Sequence, residues 1–388
     1  MQIKRLNGKI MKKLFLAMLC MAIMTPCISC DSTNKKNGEA AADGTEEPDS
    51  QRVDTLSILF AGDLMQHQGQ INAAFNGQTY NYDDCFELVK PVVSEADIAI
   101  ANLEVTLGGK PYKGYPCFSA PDEYLKAALN AGFDVMMTGN NHCLDTRKRG
   151  LERTIQVLDS LHVPHLGTYR NAQERNDNYP LIVEKNGFKI ALLNFTYATN
   201  GLRVQEPNIV NYIDTVQIAN DISKAKKMNP DLIIAMPHWG IEYSLLPNKP
   251  DMELADWMFS KGVDHIIGGH PHVLQPMERR NSNAENGGNL LVYSLGNYVS
   301  NMTKPNTVGG AMVRMDLVKQ NGKVKLVNYG YMLVYCSRPQ ISGKRNFRIV
   351  PVDMTDQLNA ADRNNCDRFV KSMKDLFEKH NVDFGEYK

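Results

Sequence analysis

His270 and His272 flank a single proline and follow Gly268-Gly269, at the end of the apolar run Val263-Asp264-His265-Ile266-Ile267. Two imidazoles one residue apart at a strand end can point into one pocket. Glycines just before them let the backbone turn tightly and leave room for a ligand. Imidazole is the commonest protein metal ligand. One such pair, taken alone, reads more readily as a loop with two polar side chains. The recurrence of the pattern changes that reading. Asp63 follows the apolar run 56–61 and Gly62. Glu104 follows 97–101, in Asn102-Leu103-Glu104. Asn141 and His142 follow 133–137, and His238 follows 231–236. Of the nine histidines, His67, His142, His238, His270 and His272 lie in such loops. His162, His165, His265 and His380 read as ordinary surface or core residues. Structural histidines have no reason to prefer strand ends. Residues that only capped helices would not need Asn-His, His-Trp-Gly and His-Pro-His together.

The elements that must position these side chains alternate. Strands are expected over 56–61, 97–101, 133–137, 188–194, 231–236, 263–267 and 290–295. Helices are expected over 84–94, 121–131, 147–161, 215–228 and 250–261. Alternation of this kind predicts an α/β fold. In open α/β sheets the carboxyl ends of the strands form the crevice where ligands bind. From about residue 307 the pattern changes. Strands over 308–316, 323–335 and 347–353 are joined by turns, with Gln320-Asn321-Gly322-Lys323 a hairpin signal. These strands predict an antiparallel second sheet. A helix over 362–380 places Phe369, Met373, Leu376 and Phe377 at helical spacing, which indicates packing.

Lys+Arg and Asp+Glu both number 43, a balance that gives no electrostatic case for nucleic acid. At 388 residues the chain can bury a large core. Near the N-terminus Lys12-Lys13 precede the apolar run Leu14–Met24, too short to read as a spanning helix. The run ends in Cys27-Ile28-Ser29-Cys30, which resembles a bacterial lipoprotein signal with Cys30 as the acylated residue. Acyl chains there would anchor an exported domain to a membrane. The polar stretch 31–52 reads as a disordered tether. A core domain over 53–302 follows. Residues 303–388 are expected to complete that domain with second-sheet strands and a C-terminal helix. Five cysteines follow Cys30, so at least one is unpaired within the chain.

The strand-end segments together resemble the family of bacterial capsule synthesis proteins of the poly-γ-glutamate type, which is similar in fold to calcineurin-like metallophosphoesterases. The segments are Gly62-Asp63, Asn102-Leu103-Glu104, Gly139-Asn140-Asn141-His142 with Asp145, His238-Trp239-Gly240 with Glu242, Gly269-His270-Pro271-His272 and Tyr293-Ser294-Leu295-Gly296-Asn297. The resemblance implies a four-layer α/β/β/α sandwich. It implies that Asp63 and His272 hold a first divalent metal, with His67 filling a further place. Glu104 would bridge to a second metal, held by Asn141, His238 and His270. His142 would stand near the leaving group as acid or charge stabiliser, with Asp145 and Glu242 orienting histidines. Carboxylate, amide and imidazole ligands suit Mn, Fe, Co or Zn. Two such ions about 3.5–4 Å apart activate water at neutral pH and stabilise transition-state charge. The expected function is an envelope-anchored hydrolase of phosphoester or γ-glutamyl-type amide bonds. The alternative is a non-catalytic or weakly catalytic factor that assembles or anchors a capsule or envelope polymer.

Overall fold

The computed structural model describes residues 52–388. The expected signal, Cys30 and the tether as far as residue 51 lie outside the described residues. The first half of the chain carries β1 (Val53–Leu64), β2 (Ile98–Leu103), β3 (Val135–Met137), β4 (His165–Leu166), β5 (Thr168–Tyr169), β6 (Leu181–Lys185) and β7 (Phe188–Thr196). The second half carries β8 (Ile209–Val210), β9 (Leu232–His238), β10 (His265–Ile267), β11 (Met277–Arg280), β12 (Asn289–Val292) and β13 (Asn297–Val299). It ends with β14 (Gly309–Gln320), β15 (Lys323–Ser337) and β16 (Arg348–Pro351).

Two large sheets form. The first runs β16-β15-β14-β1-β2-β3-β4, with β13 also pairing with β1. The second runs β11-β12-β10-β9-β7-β6. β1 is buried from Leu56 onward on both faces, as a central strand covered on two sides must be. Its alternate residues go to different cores. Leu56, Ile58 and Phe60 join Ile98 and Ile100 of β2 against Ile190, Leu192 and Ile234 of the second sheet. Leu59, Ala61, Ala99 and Ala101 face the other way, onto Phe86, Val93, Leu125 and Ala128 of flanking helices. Helices Thr215–Lys227 and Lys249–Ser260 cover the second sheet through Ile218, Ile222, Ala255 and Met258. The result is the expected four-layer α/β/β/α sandwich.

One expectation needs correction. The strands after residue 303 do not build the second sheet. β14 pairs antiparallel with β1 from Val53↔Gln320 to Ala61↔Met312, and β15 and β16 continue outward from it. The second sheet comes from the middle of the chain instead. The apolar alternation of β14 fits either sheet. What decides is the free edge of β1 opposite β2, which no local pattern reveals. The hairpin does form where expected: Gln320 pairs with Lys323 across Asn321 and Gly322, whose φ values are 52° and 72°. The helix Ala360–His380 packs on β15, with the Phe377 and Tyr331 rings 4.7 Å apart. Among the described residues no helix is long and apolar enough to cross a membrane. Cys85, Cys117, Cys143, Cys336 and Cys366 are all free thiols.

The amino ends of the parallel strands are clamped by aspartates. Asp97 accepts from the Ser57 backbone N–H at 2.8 Å and Asp134 from Ala99 at 2.8 Å. Asp231 accepts from Lys189 at 2.7 Å and Asp264 from Ile233 at 2.8 Å. Each ties one strand start to its neighbour. The carboxylates at the opposite ends of the strands are held in another way.

Candidate metal centre

Asp63 stands at the end of β1, where the strand bends and β13 closes in. The Asp63 backbone N–H donates to the Gly296 carbonyl at 3.0 Å. A Cβ on Gly62 would lie 2.1 Å from that carbonyl oxygen, so only glycine fits the approach. Glu104 follows β2, Asn141 and His142 follow β3, and His238 ends β9. His270 and His272 follow β10 with φ of 103° and 59°. Left-handed backbone at two non-glycine residues is strain of the kind that collects at functional sites. Gly268 makes the turn possible, since a Cβ there would lie 2.4 Å from the Tyr293 carbonyl and 2.5 Å from Trp239 Nε1. Trp239 is core, donating its indole N–H to the Tyr293 carbonyl at 2.9 Å.

Both sheets contribute ligand-type atoms, which converge in two overlapping groups. Asp63, Glu104 and His272 form one, and Glu104, His238 and His270 the other. Within each group one ligand atom per residue lies within 4.8 Å of the others. Glu104 belongs to both. Its Oε1 is 3.6 Å from His238 Nε2 and 3.8 Å from His272 Nε2. His272 Nδ1 is 3.3 Å from Asp63 Oδ2, and Asn141 Oδ1 is 2.8 Å from His238 Nε2, which sets Asn141 beside the second group. All six residues are buried.

One polar atom on each of three of these residues, Asp63 Oδ2, Glu104 Oε1 and His270 Nδ1, is buried with no hydrogen-bond partner. Burial of a polar atom without a partner costs about 1–3 kcal/mol, so three within one cluster of residues call for something that satisfies them. Burial, and then the Asp63 charge beside it, push the Glu104 carboxyl well above its ordinary range. Burial with neighbouring imidazoles holds His238 well below its ordinary value, and His270 at about 3. Neutral imidazoles and a strained pair of carboxylates are the donor set a divalent cation requires. The residues present therefore fit such ions.

The supporting shell is made of amides. Asn102 Nδ2 donates to Asp63 Oδ1 at 2.8 Å and stands 3.3 Å from His238 Nδ1. Asn140 Nδ2 donates to Asn102 Oδ1 at 3.0 Å, and Asn297 Oδ1 lies 3.1 Å from His272 Nδ1. Asn102, Asn140 and Asn297 all lie within the strand-end segments, where their residue type alone assigns them no role. His142 Nδ1 lies 2.8 Å from Asp145 Oδ2, which also accepts from the Phe118 backbone N–H at 2.7 Å. The Phe118 ring packs 4.6 Å from the His142 ring, and Tyr197 lies 4.4 Å from His270.

His67 joins neither group. It caps the helix Gln68–Ala74, with Nδ1 3.2 Å from Gln70 Oε1 and 3.3 Å from the Asn301 backbone N. Burial lowers it to about 4. Glu242 is exposed and hydrogen-bonds no site histidine among the described residues.

The model of the family "Bacterial capsule synthesis protein PGA_cap" matches residues 57–302. The capsule biosynthesis protein CapA of Bacillus anthracis is 29% identical over 279 residues, 69% of this chain and 65% of its own length. The PGA biosynthesis protein CapA of Bacillus subtilis (strain 168) is 30% identical over 279 residues, 69% of each chain. The chain thus spans about two thirds of the length of these curated relatives. Similar solved structures include the Haemophilus influenzae NAD nucleotidase, at TM-score 0.46 and 15% identity over 87% of this chain and 65% of that one. Another is the calcineurin-like phosphoesterase YfkN of Bacillus subtilis, at TM-score 0.44 and 16% identity over 84% of this chain and 99% of that one.

Proposed function

The chain belongs to the bacterial capsule synthesis protein family, and from that premise and the geometry above we propose that it is a hydrolase with a dinuclear metal centre. Its substrate would be a phosphoester or a γ-glutamyl-type amide bond in an envelope polymer. One observation carries the reading: Glu104 Oε1 is unpartnered, buried and shared between two groups of ligand atoms. Asp63 and His272 would hold one cation, and Asn141, His238 and His270 the other, with Glu104 common to both. Two divalent cations supply Lewis acidity and neutralise charge that develops on the scissile group.

The rest belongs to the chain itself. Asn102 fixes Asp63 and Asn297 fixes His272, so those side chains need little reorganisation on loading. Asp145 accepts from His142 Nδ1–H, which leaves Nε2 as the nitrogen free to take or give a proton. A proton held at His142 Nε2 is then available to a leaving oxygen or nitrogen in the cleft. Phe118 packs on that ring and limits its rotation.

The test is metal content by mass spectrometry, beside turnover of a phosphodiester, a phosphomonoester and a γ-glutamyl amide. About two metals per chain are expected, lost together with activity on one substrate in His270→Ala/His272→Ala. Metal with no turnover of any substrate supports an assembly factor instead. A chain that takes up no Mn, Fe, Co or Zn sinks the reading. The sequence around Cys30 supports an exported, acylated protein held at a membrane. Labelled palmitate should enter the wild type and not Cys30→Ser.

A further inference from the structure

A second concave surface lies beside the metal centre. A pocket of about 340 Å³ opens between the loop after β13, the end of β15 and the helix Ala360–His380. Three cations line it: Lys304, Arg338 and Arg368. No Asp or Glu does. Among the described residues none of the three makes an ion pair within 4 Å, whereas most other arginines of the domain have a carboxylate partner. Arg338 is the most telling. Its side chain makes no hydrogen bond there, and Nε is buried without a partner. Asp362, the buried carboxylate on the same helix, is already taken by the Tyr335 hydroxyl at 2.7 Å and by that of Ser337. Three cations on one concave surface with no carboxylate among them leave a net positive lining, which favours an anion.

Two independent links tie the pocket to the centre. Lys304 Nζ lies 3.6 Å from the Tyr243 ring centroid, and that ring is 6.3 Å from the His272 ring. Behind this, Asn297 holds His272 through Oδ1 and donates from Nδ2 to the Thr307 carbonyl at 3.0 Å. Thr307 in turn donates its hydroxyl to the Lys304 carbonyl at 2.8 Å. The loop that carries the cation is thus hung on a residue that orients a metal ligand.

We propose that this basic pocket is a second anion subsite, which holds a phosphate or carboxylate group of the substrate away from the bond that is cut. This rests on the hydrolytic reading above, and it deepens that reading: the enzyme favours polyanions over singly charged substrates. Arg338 supplies the forked donors that suit either anion, while Arg368, whose Nε and Nη2 donate to Asn364 and Asn365, and Lys304 add charge at the rim.

Binding is measured by titration calorimetry on the full chain stripped of metal, so the outcome does not depend on catalysis. The probes are tripolyphosphate and a γ-linked oligoglutamate, each at low and high salt. At least one should bind, more weakly at high salt. Whichever binds more tightly names the anion. Arg338→Gln/Arg368→Gln should weaken it about tenfold or more, while His270→Ala/His272→Ala leaves it unchanged. Lys304→Gln and Arg368→Gln alter exposed positions, and each should weaken binding about threefold even if Arg338 proves necessary for folding. Equal affinity in wild type and all three charge variants, or no binding of either probe to wild type, overturns the subsite. A chain that binds the probes yet never takes up metal would instead overturn the hydrolytic reading.

Discussion

At the scale of single residues the centre turns on Glu104. A carboxylate that is buried, unpartnered and next to Asp63 destabilises the metal-free protein. A cation between them reverses the sign, because both carboxylates then face positive charge. Glu104→Gln should therefore separate two effects. In chelator-treated protein it should raise the thermal midpoint by about 2 °C or more, since a carboxyl that burial and Asp63 force to hold its proton is gone. Added Mn or Zn should raise the wild-type midpoint and leave the variant nearly unmoved. A variant with a lower metal-free midpoint and an intact metal response would show that Glu104 is a packing residue. Much of this was legible in the sequence. Asp63, Glu104, Asn141, His142, His238, His270 and His272 each close an apolar run, and a carboxylate or imidazole at that place is hard to explain by packing. The roles of Asn102, Asn140 and Asn297 were not legible. An amide serves a ligand or a turn equally well, and only its neighbours decide. His67 is undecided by pattern for a related reason: its distance from Asp63 suits a ligand, and the helix that begins at Gln68 also makes it an N-cap residue.

At the scale of elements the same residue type does opposite work at the two ends of a strand. Asp97, Asp134, Asp231 and Asp264 sit where strands begin, and each accepts a neighbouring strand's N–H. Asp63 and Glu104 sit where strands end, and each keeps a free oxygen. Asp134→Ala and Asp264→Ala should each be less stable than the Asn variant at the same position by about 1–3 kcal/mol, because the Ala99 or Ile233 N–H loses its acceptor. Metal content should not change in any of these variants. Denaturant unfolding with parallel metal analysis checks both halves, and metal loss in either alanine variant would contradict the division of labour. Strand ends were readable because helices and turns bracket them. Strand partners were not. β14 carries a sound strand pattern, yet its place beside β1 is set by an edge more than 200 residues earlier in the chain.

At the scale of the whole molecule, acid sensitivity should follow from histidines that the sandwich keeps neutral. His265 illustrates the sign, since it touches no candidate ligand group. It is fully buried in β10, and Nδ1 accepts from the Leu290 N–H at 3.0 Å, across to β12. Burial lowers it from 6.5 to about 3. Below pH 6.5 the unfolded chain binds a proton there that the folded chain refuses. The stability it contributes is present above pH 6.5 and is lost as pH falls towards 3. Asp264 works in the opposite sense. Burial raises it from 3.8 to about 6, so its share is present below pH 3.8 and is lost as pH rises through 6. His265→Asn keeps an acceptor for Leu290 and removes the titration. Between pH 6 and 4 it should flatten the fall in unfolding free energy by up to about 1.4 kcal/mol per pH unit. Asp264→Asn, which keeps an acceptor for Ile233, should steepen that fall over the same range. Denaturant unfolding at stepped pH measures both slopes. Parallel slopes for wild type and His265→Asn would mean that β10 opens from β9 and β12 readily enough for the imidazole to be protonated in the folded chain. The layers would then come apart locally rather than as one unit.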